Sequence, residues 1–379
     1  MRKEEMMNVA KPAILILTTH TGGGHMNLAQ SLKEMLETDY DVAIVDPQAP
    51  GVERWYTWVS RHSLQYLAWQ YAWTDNEIAA LWLQRIITLF SRRRFQRVIG
   101  QAQPQLIIAT HAFLSYVAAR ASEHLNIPLV FQFTDLGQLH MTWFVEKQAA
   151  AYLAPTREIF TQALEQGIAK ERLYLTGRPV RRQFLEASDR DETLAALKLD
   201  PGIFTIFLQG GAKGSAAVDQ PLEALLNMGE PVQIILAAGN NAGIAARYAG
   251  VKQVCVLPFT RTIAPYMRAA NLVAGKAGAS FISEAFMLEK PFLVTTFIPG
   301  QETPNLQFIA QHDLGWICPE PQALQELVIR LMHNPEIVAA KIESIRTHKA
   351  WNTQASQRIP SVIDYYMRQE ETLDHQASV

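Results

Sequence analysis

The segment TTHTGGGHMNLAQSL, residues 18–32, places three consecutive glycines and a histidine between the apolar run AILIL and a stretch in which Leu28, Leu32 and Leu36 recur every four residues. Glycine adopts backbone conformations closed to other residues and leaves its main-chain amide open to approach. A helix opening on such a loop favours an anion or a polarised group at its first turn. Gly22, Gly23 and Gly24 are therefore candidates for a point where a ligand meets backbone, although a tight turn with no ligand fits the same pattern. A second loop, LQGGAKGSAAV, repeats the arrangement with Gly210, Gly211 and Gly214, whose bare amides suit a phosphate. A third, GKAGASFISEAFMLEKP, puts Lys276, Gly278 and Ser280 at a strand end and Glu284 about one turn into the helix that follows. The two oxygens of a carboxylate match the vicinal diol of a ribose. A glutamate there also serves simply as a partner of the helix dipole.

Several familiar chemistries fail on spacing. A dinucleotide fingerprint needs G-x-G-x-x-G, but its last position is Asn27, even though Asp46 closes the second strand about where a ribose-binding acid would stand. The second loop is not G-x-x-x-x-G-K-[ST], which argues against a P-loop NTPase. His20 and His25 have no Cys, Asp or Glu at ligand spacing beside them, so no metal site is expected.

These loops require strands to carry them, and the chain supplies strands in alternation with helical patterns. AILILTT, DVAIVD, LIIATH, PLVFQFTD and AAYLAPT occupy the first half; FTIFLQGGAKG, VQIILAAG, QVCVLPF, NLVAGKAG and FLVTTFIPG occupy the second. Such alternation gives parallel sheets covered on both faces, and 379 residues suit two such units. The fold class is α/β: two doubly wound Rossmann-like domains whose strand ends face a central cleft, where ligands of open sheets bind. The expected domains are 1–176 and 177–345, with the charged, Pro-bearing stretch 177–200 at the boundary. Residues 346–379 are expected to form a C-terminal helix, which could pack back on the first domain, and a frayed polar tail.

A net charge of −2 gives no global reason to expect nucleic acid as a partner. Cys255 and Cys318 lie in apolar runs, so buried thiols in a reducing compartment are expected rather than a disulfide. No secretory h-region and no run of 18 apolar residues is present, and the sequence reads as cytoplasmic.

Taken together, TGGGH (21–25), FTDLGQLHMTWF (133–144), LTGRPVR (175–181), LQGG (208–211), KAGASFISEA (276–285) and IPGQETPN (298–305) resemble glycosyltransferase family 28. Within it they resemble the monogalactosyldiacylglycerol synthases and processive diacylglycerol glucosyltransferases. The resemblance implies the GT-B fold and metal-independent, inverting transfer from a UDP-sugar, which is a substrate; no cofactor is implied. It implies that Gly210 and Gly211 meet the pyrophosphate, Glu284 the ribose, Leu257, Pro258 and Phe259 the uracil, and Gln301 and Glu302 the sugar hydroxyls, with Asn305, which opens the next helix, also among the donor contacts. Inversion needs a base for the acceptor proton, and an imidazole of near-neutral pKa suits His25 to it, although His25 also fits a capping role. Asp135 and His140 are expected to position the acceptor or the base, with Trp143 beside them. Three departures stand out: His20 replaces a common Asp before TGGGH, Ala279-Ser280 replaces Pro-Gly, and Lys213 replaces an acidic residue in the second loop.

Residues 54–99 hold Trp55, Trp58, Trp69, Trp73 and Trp82 and seven arginines against two acids. Aromatic and basic residues suit the headgroup region of an anionic membrane, whereas the stripe Ile78, Leu81, Trp82, Ile86, Leu89 and Phe90 also fits packing on its own domain. The resulting expectation is a peripheral enzyme on the inner face of the membrane, with diacylglycerol or a related lipid as acceptor. Rival readings are the same fold acting on a polyprenol-linked or secondary-metabolite hydroxyl, a sugar-nucleotide epimerase, and a non-catalytic nucleotide-sugar binder.

Overall fold

The computed structural model describes residues 11–20, 23–48, 51, 64–210 and 218–377. Gly22, Gly211, Gly214, Lys213, Trp55 and Trp58 fall outside them. In the first half β1 (Ala13–Leu17), α1 (Gly23–Leu36) and β2 (Asp41–Val45) are followed by two helices in succession, α2 (Leu64–Thr74) and α3 (Glu77–Ala102). Then come β3 (Leu106–Ala109), α4 (Ser115–Leu125), β4 (Leu129–Gln132), β5 (Ala151–Ala154), α5 (Arg157–Glu165) and β6 (Leu173–Leu175). After α6 (Arg190–Ala196) the second half alternates β7 (Phe204–Gln209), α7 (Asp219–Leu226), β8 (Val232–Ala237), α8 (Ala242–Tyr248), β9 (Val254–Leu257) and α9 (Ala264–Ala269). It continues with β10 (Leu272–Lys276), α10 (Ala279–Met287), β11 (Phe292–Thr296), α11 (Thr303–Gln311) and β12 (Gly315–Ile317). The chain closes with α12 (Pro321–His333), α13 (Pro335–Ser356) and α14 (Arg358–Ala377).

The strands form two parallel six-stranded sheets, ordered β2-β1-β3-β4-β5-β6 and β12-β11-β10-β7-β8-β9. Continuous apolar runs such as Leu106–Ala109 are buried along their whole length, as a strand covered on both faces requires. The doubly wound architecture read from the sequence is therefore present in both halves. Strand order reverses between β1 and β3 in the first sheet and between β7 and β10 in the second. A crevice opens outside the strand ends at each such point.

Each sheet has a core on either face. Ile359, Val362, Ile363 and Met367 of α14 pack with Ile14, Ile16 and Leu153, so the chain's last helix lies on the first sheet. The polar segment after Arg368, expected to fray, continues α14 as far as Ala377. Extending a helix already anchored by packing costs far less than starting one. Cys255 and Cys318 are free thiols, half-buried and buried respectively.

Candidate active site between the two sheets

His25 lies in the first turn of α1, just past the end of β1, and Thr110 and His111 follow the end of β3. The three residues therefore flank the switch point of the first sheet. The His25 Nδ1 lies 3.0 Å from the Thr110 carbonyl oxygen. A carbonyl only accepts, so Nδ1 carries the proton and Nε2 presents a lone pair. The His111 ring stacks obliquely on that of His25 at 4.2 Å between centroids, and its Nδ1 accepts from the Phe113 N–H at 3.1 Å. His25 does not have the near-neutral pKa that a base of this kind was expected to have. Burial lowers it to about 4 against the Thr110 hydrogen bond, and the charges of Arg178 and Lys276 push the same way. Burial also holds His111 well below the ordinary histidine value.

A cavity of about 110 Å³ opens in front of these rings and is also lined by Asp135, Tyr71, Leu83 and Gln301. Burial raises the Asp135 carboxyl to about 6 although Arg178 opposes the shift. His140 lines the same cavity, but the scaffold uses its ring. Nδ1 accepts from the Thr142 N–H at 3.1 Å, and Nε2 faces the Tyr71 carbonyl at 3.0 Å and Thr74 Oγ1 at 3.2 Å. It fixes the end of α2 over the cavity instead of offering a lone pair. Trp143 is 3% exposed and meets Phe133 edge to face, so it is chiefly a core ring with one edge on the cavity. His20 is not among the residues lining the cavity: its Nδ1 and backbone N–H both meet Asp46 Oδ2, at 2.7 and 2.8 Å. The same pair accounts for Asp46, whose other oxygen accepts from Gln48 N–H.

From the second sheet, Lys276 ends β10, Gly278 caps α10, and Ser280 and Glu284 stand in its first turns, beside Gly210 at the end of β7. The two halves touch here. Ser280 Oγ donates to the Gly24 carbonyl at 2.7 Å, a contact that brings the two halves together but does not itself demand glycine, because a Cβ on Gly24 would lie an ordinary 3.5 Å from Ser280 Oγ. Glu284 is 3% exposed; its Oε1 accepts from Arg181 Nη2 and Nε at 2.8 and 3.1 Å and from Asn27 Nδ2 at 3.2 Å. A ribose there would have to share this carboxylate. Glu302, implied for sugar hydroxyls, instead pairs through Oε1 with Lys276 and accepts from Ile298 N–H through Oε2. The Asn305 side chain spans the junction, accepting from Leu136 N–H at 3.0 Å and donating to the Ala277 carbonyl at 3.0 Å. At 1% exposure it holds the halves together, a different task from contacting a donor. Leu257 is buried, while Phe259 is 59% exposed on the following loop.

The site also holds His111, Tyr71, Arg178 and Arg181, which were not among the residues expected from the sequence. The last two stand in the quoted motif LTGRPVR but received no role, because nothing in local spacing shows that this segment passes between the sheets.

Residues 25–180 match the family model described as monogalactosyldiacylglycerol (MGDG) synthase, and residues 205–357 match the glycosyltransferase family 28 C-terminal domain. The chain belongs to glycosyltransferase family 28. Relatives include a probable monogalactosyldiacylglycerol synthase 2, chloroplastic, of Oryza sativa subsp. japonica, 25% identical over 84% of this chain and 73% of its own length. The monogalactosyldiacylglycerol synthase, chloroplastic, of Spinacia oleracea is 25% identical over 94% of this chain and 73% of its own length. Among solved structures, Anabaena HepE in complex with UDP and glucose aligns with a TM-score of 0.58 at 16% identity, covering 93% of this chain and 99% of that one. The calicheamicin glycosyltransferase CalG4 aligns with a TM-score of 0.61 at 12% identity, covering 95% and 99%. The family 28 chain thus has the GT-B fold.

The outer face of α3 is inverted relative to a helix that packs only on its own domain. Its inner face buries Gln84 and Ser91 with Ile87, Phe95 and Ile99. Ile78, Trp82, Ile86, Leu89 and Phe90 are exposed, as are Trp69 and Trp73 of α2. Packing on the first domain therefore does not explain the stripe, and a contiguous apolar patch of this kind marks an interaction surface. Arg92 and Arg93 are exposed beside it, whereas Arg94 donates to the Gln48 carbonyl and belongs to the scaffold. Among the described residues no helix is long and apolar enough to cross a membrane.

Proposed function

We propose that this family 28 chain transfers a sugar from a UDP-sugar to diacylglycerol or a closely related lipid, forming a β-glycolipid at the cytoplasmic face of a membrane. The observation that carries the reading is the meeting of His25, with its lone pair fixed on Nε2, and the first turns of α10 across one cleft. The names of the relatives support the acceptor class. In the reaction the acceptor oxygen bonds to the anomeric carbon from the face opposite UDP. The bond to the β-phosphate oxygen breaks with its electron pair, and the acceptor proton passes to His25 Nε2. Burial chiefly depresses the imidazole, with Arg178 and Lys276 adding to it, and a dianionic diphosphate beside α10 offsets the part that comes from those charges. Asp135, ionised at neutral pH, favours the imidazolium that forms.

The acceptor route follows from the same cavity. Tyr71 and Leu83 line it from α2 and α3, the helices whose outer faces are apolar, so a glyceride hydroxyl reaches His25 while its acyl chains stay with the lipid. The test is incubation with labelled UDP-glucose, UDP-galactose and UDP-N-acetylglucosamine, with and without diacylglycerol vesicles. Labelled glycolipid formed only with diacylglycerol is the expected result. Label released or epimerised without acceptor, or no turnover despite donor binding, contradicts it.

A further inference from the structure

Arg178 is 3% exposed, yet among the described residues no carboxylate lies within ion-pair distance of it. Its Nη1 donates to the Thr134 carbonyl and its Nη2 to Ser280 Oγ. Arg181, three residues on and also buried, has Glu284 as its counter-ion. Asp135 and Glu284 attract Arg178 only from further away, and it remains charged at neutral pH. Burying a guanidinium without a paired anion is costly, and the fold fixes this one deliberately. Asn352 clamps its backbone from both sides, accepting from the Arg178 N–H at 2.7 Å and donating to its carbonyl at 2.9 Å. Gly177, at φ +65°, gives Asn352 room where any Cβ would lie 2.8 Å from its Oδ1.

The anchored cation points at the first turn of α10, where helix N–H groups lack intrahelical partners and the dipole is positive. A buried guanidinium and a helix N-terminus meeting at Ser280 together favour an anion there. We propose that Arg178 is a further catalytic residue: it meets the donor's diphosphate, exchanging Ser280 Oγ for a non-bridging phosphate oxygen. It then stabilises the negative charge that UDP gains when the anomeric carbon–oxygen bond breaks and its electron pair stays on the β-phosphate. The inference rests on the UDP-sugar reading above.

Calorimetric titration of UDP and uridine into the wild type and Arg178→Met tests it, because uridine shares every contact except the phosphates. A charge-assisted hydrogen bond to phosphate is worth roughly tenfold to a hundredfold in affinity. The UDP-over-uridine preference should fall by about that factor in Arg178→Met, recover substantially in Arg178→Lys, and leave uridine affinity unchanged. Should the Met variant not fold, Arg178→Gln, which keeps a donor for Thr134 but no charge, should show the same loss. An unchanged preference in a folded uncharged variant overturns the proposal while leaving the donor reading intact. A wild type that binds neither UDP nor uridine overturns both.

Discussion

Arg181 Nη2 and Glu284 Oε1 meet at 2.8 Å in a buried ion pair that joins the segment after β6 to α10. Removing one member of such a pair leaves the other charge buried and uncompensated, which costs about 3–5 kcal/mol. Arg181→Ala should therefore lower unfolding free energy in urea by about that amount, and the double change Arg181→Met with Glu284→Leu should restore most of it. A single-variant loss below about 1 kcal/mol would show that water reaches the pair.

His348 lies among Phe286, Phe308 and Trp351, with centroid separations of 5.6, 5.6 and 5.8 Å. Burial lowers its pKa from 6.5 to about 4. The unfolded chain therefore takes up the proton first: the contribution is intact above pH 6.5 and is lost as pH falls from 6.5 towards 4. Between pH 7 and pH 5 this amounts to up to about 2 kcal/mol. His348→Phe should shrink the difference in melting temperature between pH 7.5 and pH 5; an unchanged difference would mean that the ring already carries its proton in the folded protein.

Asp135 and His25 share one cavity with opposite shifts, the acid raised to about 6 and the imidazole lowered to about 4. The acid limb of kcat/KM reports the free enzyme. It should lie near pH 6 in the wild type, set by loss of the Asp135 charge, and move towards pH 4 in Asp135→Asn at a lower plateau. A limb that stays near pH 6 in the variant would assign it to another group.

The apolar patch of α2 and α3 and the exposed Arg92 and Arg93 predict binding to anionic vesicles. Each basic residue contributes on the order of 1 kcal/mol near such a surface. Arg92→Ala with Arg93→Ala should weaken co-sedimentation with phosphatidylglycerol vesicles roughly tenfold or more, and Leu89→Ser with Phe90→Ser should weaken it on neutral vesicles as well. Equal sedimentation of all variants would remove the membrane from the account.

The sheets were legible in the sequence because buried parallel strands are short apolar runs that local pattern reveals, as in Leu106–Ala109. The glycine loops and His25 were legible because a helix opening on bare backbone has a local signature. What escaped depends on contacts distant in sequence. Asn305 bonds Leu136, Glu302 takes Lys276, and Glu284 takes Arg181, so three polar residues read as ligand contacts are spent wholly or partly within the protein. The approach of the two halves is equally invisible in local pattern: a Cβ on Gly137 would lie 2.3 Å from the Pro304 carbonyl oxygen. His25 lost its near-neutral pKa for the same reason, because burial and the charges of Arg178 and Lys276 come from other segments.

In the proposed reaction the His25 imidazole takes the acceptor proton in a cleft that holds UDP-sugar. Turnover and UDP affinity of His25→Ala, measured on the same preparation, test it most directly. UDP affinity should stay within about twofold of wild type while turnover falls roughly 10²- to 10⁴-fold. Turnover equal to that of the wild type would contradict it.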